Sequence, residues 1–259
     1  VLGVTYAFRA PGLEPGPNEG WVSEVDVAPP QVFAARALLE AGRVQELPAD
    51  EAAWARMPVM TLRDETGLEP LDPAHQPTLV RAALSAETLA LRVVCREAHL
   101  DSLSEAGKEL WTEDSVEVFL GPELWPYLQV AGGPQGKSSA AKGKTGGRRI
   151  QPMPVPEGIT LEAAKGDGAW TLTLRVPLAA VRKSLGLPDG LHPEVYPWRI
   201  QIVRNRPERE KLGQAAQTAV LAVTHSSTAH CPLRGGVLRA VEPSREPIQP
   251  AVRPGAELP

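Results

Sequence analysis

Apolar residues along the chain recur at every second position far more often than at helical spacing, and this period predicts strands. The clearest case is Ala169 to Val176, where Trp170, Leu172, Leu174 and Val176 fall on one face. Thr78–Leu84, a Ser-Ala-Glu turn and Leu89–Arg96 predict a hairpin. In its second strand Leu89, Leu91, Val93 and Cys95 share a face, with Arg92 and Arg96 on the other. Further strands are expected at 59–62, 115–120, 127–130, 159–163, 198–203, 218–223 and 236–241. Residues 33–41 suit either helix or strand, and Leu178–Leu185, after Pro177, predicts about two helical turns. The expected core contains Leu91, Val93, Val116, Val118, Trp170, Leu172, Leu174 and Ile200, with Trp54 and Trp198 also inside.

So many short strands separated by turns predict an all-β fold, a two-sheet antiparallel, jelly-roll-like β-sandwich with one or two short helices. The 27 prolines and 23 glycines in 259 residues supply the turns. Residues 1–30 lack lasting periodicity and are expected to form an extended N-terminal arm. The sandwich is expected over 31–242, and the Pro-rich stretch 243–259 as a surface tail or linker.

The net charge of −4 argues against a general nucleic-acid binder. A local basic stretch, 131–149, carries Lys137, Lys142, Lys144, Arg148 and Arg149 and no acidic residue. It suits a flexible solvated loop or a mobile basic flap that meets an anionic glycan or a partner. Apolar runs long enough to span a membrane are absent, and no segment has the pattern of a signal peptide. Two cysteines, Cys95 and Cys231, define no disulfide framework; Cys95 is expected to be a small buried apolar group.

Several segments, in order from Ala52 to Leu238, resemble family 9 carbohydrate-binding modules, a DOMON-like sandwich family. Ala52-Ala53-Trp54 before Val59-Met60-Thr61-Leu62 resembles their opening. The most specific segment is Trp111-Thr-Glu-Asp114-Ser-Val-Glu117-Val-Phe119, a Trp before an acidic, alternating strand. WTLTLRVP at 170–177, Trp198-Arg-Ile-Gln-Ile-Val-Arg-Asn205 and His230-Cys-Pro-Leu-Arg-Gly-Gly-Val-Leu238 follow, the last with Gly235 where Phe is usual.

The resemblance implies a non-catalytic module that binds a terminal sugar of an oligo- or polysaccharide. It implies an accessory role in carbohydrate catabolism and an extracellular or periplasmic location. Carried over by position, Trp111 is the stacking platform, Glu117 and Gln129 are polar contacts, and Asn205 or His230 lies nearby. At the second stacking position stand Ala229 and His230, so a sugar would be held on one aromatic face only. The family's loops often hold structural calcium; here Asp64-Glu65 and Asp72, or Asp101 and Glu105, could supply oxygens, and no other cofactor is implied.

The residues themselves leave alternatives open. Glu117 shares a face with Phe119 and must reach water or a partner, either a ligand or one of Arg92, Arg96 and Arg204. Asp114 is expected to cap the turn before the strand. Trp125 would cover the core edge or add an aromatic contact. His225 and His230 suit hydrogen-bonding loop residues better than a metal pair, for want of a third ligand. No nucleophile elbow, P-loop or zinc motif is present. A second class is a b-type haem domain of the ethylbenzene-dehydrogenase type, suggested by Trp125–Pro134. That segment holds no Met: the three are Met57, Met60 and Met153. A third is a structural or cell-surface sandwich that has lost its ligand.

Overall fold

A computed structural model describes residues 38–64, 77–104, 109–122, 126–143, 150–212, 216–221 and 236–249. The expected arm, Trp125, His225, Ala229, His230, Cys231 and the chain beyond 249 lie outside these residues. In chain order the strands are β1 (Leu38–Arg43), β2 (Val59–Thr61), β3 (Arg63–Asp64), β4 (Thr78–Leu84), β5 (Thr88–Arg96), β6 (Ser115–Pro122) and β7 (Tyr127–Gly132). They continue with β8 (Ser138–Gly143), β9 (Ile150–Met153), β10 (Thr160–Gly166), β11 (Ala169–Pro177), β12 (Trp198–Arg206), β13 (Gln217–Val220) and β14 (Gly236–Val241). Two α-helices are described, α1 (Glu51–Ala55) and α2 (Leu178–Leu185).

Local chemistry explains the turns. Ser85 Oγ accepts from the backbone N–H groups of Glu87 and Thr88 at 3.3 and 3.0 Å, closing the β4–β5 hairpin. Asp167 and Gly168 join β10 to β11 with φ of 51° and 67°, the positive pair that a two-residue hairpin turn demands. The Asp50 carboxylate caps α1 by accepting from Ala53 N at 2.7 Å, a start signal unused in the sequence reading.

The strands form one ladder, ordered β10-β11-β5-β4-β1-β14-β12-β6-β7-β8-β9, with β2 beside β4, β13 beside β12 and β3 beside β13. This refines the expected pair of antiparallel sheets. β1 runs parallel to both neighbours: Leu38 to Gly42 along β14, then Gly42 and Arg43 along β4. One shared strand thus joins the two layers of an all-β sandwich. The layers meet closely. A Cβ on Gly132 of β7 would lie 2.8 Å from Leu161 Cδ2 of β10 and 3.0 Å from Leu172 Cδ1 of β11.

All eight expected core residues are buried in one cluster, together with Trp198. Trp54 packs in a separate small cluster with Met57, Ala83 and Ala90. Outside the core, two expectations need correction. Within the basic stretch, 133–137 form the turn between β7 and β8 and 138–143 are β8, paired with β7 and β9, while 144–149 lie outside the described residues. Poor strand formers adopt the strand here because the β7 edge offers a full row of hydrogen bonds. Residues 243–249 are no free tail. Ser244 and Ile248 donate their backbone N–H groups to Arg56 O and Ala55 O at 3.1 and 2.8 Å, and Arg81 Nη2 donates to Ile248 O at 2.6 Å.

Candidate functional site

The site begins with a single 3-10 turn, Leu110–Thr112, just before β6. Leu110 is buried and anchors the turn, while Thr112 Oγ1 donates to Glu109 O at 2.8 Å. Neighbouring residues on so tight a turn face different ways, so Trp111 is turned outward and 59% exposed. The exposure expected of Trp111 is thus observed.

On β6 the residues alternate as expected. Val116, Val118 and Leu120 face the main core. Phe119 faces the other way and packs with Tyr127, Val203 and Val220. Glu117 shares that outer face. Its Oε1 accepts from Asn205 Nδ2 of β12 at 2.6 Å, and its Oε2 accepts from Gln129 Nε2 of β7. Asn205 Nδ2 also donates to Ser115 Oγ at 3.2 Å. Burial pushes the Glu117 carboxyl above its usual range, and the two amide donors oppose that shift. Three of the five expected site residues are thus hydrogen-bonded to one another. The expected arginine partners lie elsewhere: Arg92 pairs with Glu51 and Arg204 with Glu97, while Arg96 contributes its backbone oxygen to Arg204.

Beside this chain of amides lies a cleft of about 360 Å³. It is lined by Trp111 and Thr112 of the turn, Asn205 and Arg206 of β12, and Thr218 of β13. Its volume is at the low end of about 300–1,000 Å³, the usual span of small-molecule sites. Glu117, bonded to Asn205, and Gln129, bonded in turn to Glu117, are not part of the lining.

A buried ionic network adjoins the cleft. Asp114, expected to cap the turn before β6, is instead fully buried and bound to more distant partners. Its Oδ1 lies 2.8 Å from Arg209 Nη2, and its Oδ2 accepts from the Ser104 backbone N–H at 2.9 Å. Burial raises its pKa, against the pull of Ser104 and Arg209. Glu97 Oε2 pairs with Arg209 Nη1 at 2.9 Å and Arg204 Nη2 at 3.3 Å, and its Oε1 accepts from His99 N at 3.2 Å. Arg206 is 5% exposed, and among the described residues its Nε has no hydrogen-bond partner. Sequence reasoning missed Arg206 and Arg209. One signal was available: Arg204 and Arg206 continue the face of Trp198, Ile200 and Ile202, and charges extending an apolar stripe need partners or a ligand.

Met57 packs beside Trp54, and Met60 and Met153 lie against the main core. Among the described residues no group of three or more His, Cys, Asp or Glu could hold a metal ion. Of the calcium candidates, Glu65, Asp72 and Glu105 lie outside the described residues. No described helix is long and apolar enough to cross a membrane.

The chain matches no family model and no curated protein by sequence. Solved structures do match it. A candidate carbohydrate-binding protein from Bacteroides uniformis superposes with a TM-score of 0.57 at 14% identity, covering 80% of this chain and 100% of that one. A family 9 carbohydrate-binding module from Caldicellulosiruptor kristjanssonii, solved with glucose, superposes at 0.55 with 10% identity over 82% of this chain and 98% of that one. The chain has the fold of a family 9 carbohydrate-binding module. The same bacterial module in complex with cellotriose superposes equally well, at 0.55 over 83% of this chain. The CBM9-like sandwich thus carries, on the described residues, a small cleft lined by an exposed Trp and by Asn205, whose amide is bonded to the Glu117 carboxylate.

Proposed function

We propose that this chain is a non-catalytic carbohydrate-binding module that takes a terminal sugar of an oligo- or polysaccharide against Trp111. The observation that carries the reading is the exposed indole beside Asn205 at the cleft. A pyranose has an apolar C–H face and a rim of hydroxyls. An aromatic plane next to fixed amides matches both. Both hydrogens of Asn205 Nδ2 are committed to Glu117 and Ser115, so the amide presents Oδ1 to a sugar hydroxyl. Glu117, itself bonded to Gln129, holds that amide in place, and both serve as polar contacts for a ligand that reaches past it. His230 of the closing segment completes the set expected from the sequence. The fold likeness to a module solved with glucose and cellotriose supports the same reading, which puts the chain outside the cytoplasm, where glycans are met.

One aromatic face supplies about 1–3 kcal/mol, and each neutral hydrogen bond nets about 0.5–1.5 kcal/mol. After the entropy of immobilising the ligand, Kd falls at roughly 0.1 mM to several mM. The test is an NMR or calorimetric titration with glucose and cellotriose. Trp111→Ala is expected to abolish binding while the melting temperature stays within about 3 °C, since an exposed side chain contributes little to the fold. Absence of any response at about 10 mM sugar, well above the middle of that range, would refute sugar binding.

A further inference from the structure

We propose that the cleft selects an acidic sugar, a uronic acid residue whose carboxylate pairs with Arg206. This rests on the carbohydrate reading and narrows it to a ligand class. Three guanidinium groups, Arg204, Arg206 and Arg209, are buried together with only two carboxylates, Glu97 and Asp114. Those carboxylates are fully engaged. Glu97 receives Arg204, Arg209 and the His99 N–H, and Asp114 receives Arg209 and the Ser104 N–H. Among the described residues no carboxylate makes a direct ion pair with Arg206; Glu97 and Asp114 attract it only through space, and its Nε, like those of Arg204 and Arg209, has no hydrogen-bond partner. A largely buried charge without a contacting counter-ion is costly, and a guanidinium recovers most when its fork meets a carboxylate.

Arg206 lines the same cleft as Trp111 and Asn205. Glu117, the nearest outer-face acid on β6, is turned toward Asn205 and Gln129 instead. The cleft therefore pairs an aromatic face for a sugar ring with a buried cation for its charge. A uronic acid carries both complements on one ring, and a neutral hexose carries only the first.

The experiment titrates the full chain with three ligands: D-glucuronate, its methyl ester and D-glucose. These differ only at the exocyclic carbon. Glucuronate is expected to bind at least about tenfold more tightly than either neutral sugar, as a charge-assisted, partly desolvated pair allows. Arg206→Gln is expected to bring the three within about twofold, and Arg206→Lys to restore part of the preference, since it keeps the charge and loses the fork. A preference that survives unchanged in Arg206→Gln overturns the assignment. Should that variant fail to fold, the wild-type comparison decides: equal binding of acid, ester and glucose overturns acid selection and leaves the carbohydrate reading standing. If none of the three binds and cellotriose does, acid selection alone falls. If cellotriose also fails, both readings fall.

Discussion

Asn205 donates to Glu117 at 2.6 Å, diagonally across the β12–β6 ladder, and so couples the cleft wall to a buried carboxylate. Asn205→Ala would leave Glu117 Oε1 without that donor. A buried acceptor stripped of its partner costs about 1–3 kcal/mol, which lowers Tm by roughly 2–10 °C in a domain of this size. Thermal unfolding followed by circular dichroism checks it. A variant that melts like wild type would show that the bond does not hold the site together.

Glu117 also sets a pH dependence. Burial raises its folded pKa above the ordinary 4.5, so the folded state holds this proton more tightly than the unfolded chain. Its contribution is therefore greatest below the unfolded pKa and is lost as pH rises through the folded one. Glu117→Gln removes that titration while keeping an oxygen and an NH2 that can be oriented for Asn205 and Gln129. The variant's Tm should fall less than wild type's as pH rises from about 4.5 toward neutrality. Parallel Tm curves for the two proteins would contradict this role.

Cys95 lies in the core face of β5 with Leu91 and Val93, and burial pushes its thiol up to about 12. The reactive thiolate is then scarce at neutral pH, and access is closed as well. Peptide mapping after treatment with a thiol reagent should find Cys95 unmodified in native protein and modified in denaturant. Native modification on the time scale of an exposed thiol would show that the β4–β5–β11 layer opens readily.

Much of this architecture was legible because strand periodicity is a local property. The run from Trp170 to Val176 announces its buried face by alternation alone, and Trp111, outside any apolar pattern, announces its exposure. The meeting of Glu117 with Gln129 was within reach too, since both belong to adjacent strands and Phe119 stands opposite Gln129. What escaped was set by distant pairing. β8 is Ser-Ser-Ala-Ala-Lys-Gly, a composition with little strand preference, and it extends because β7 pairs with it. The parallel run of β1 beside β14 joins residues about two hundred positions apart, which no turn signal marks. Asp114 looked like a turn cap because its partner, Arg209, lies on the far side of β12 in sequence.

That buried pair supports a final prediction. Arg209 and Asp114 are both nearly inaccessible, at 6% and 0% of their side chains. Arg209→Met removes the counter-charge and leaves Asp114 only the Ser104 N–H, while Glu97 keeps Arg204. Removing one partner of a buried pair typically costs about 3–5 kcal/mol, mostly the penalty of the stranded charge. Replacing the other partner should then recover much of the loss. Asn at 114 still accepts from Ser104 and carries no charge, so Arg209→Met with Asp114→Asn should be more stable than Arg209→Met alone. The single variant should also regain stability on acidification. Without Arg209 the Asp114 pKa rises further, and protonation discharges the stranded group. Urea unfolding of both variants at neutral and acidic pH checks this. If the double variant is no more stable than the single one, the cost lies in lost packing of the Arg209 stem, and Asp114 is compensated by the remaining arginines.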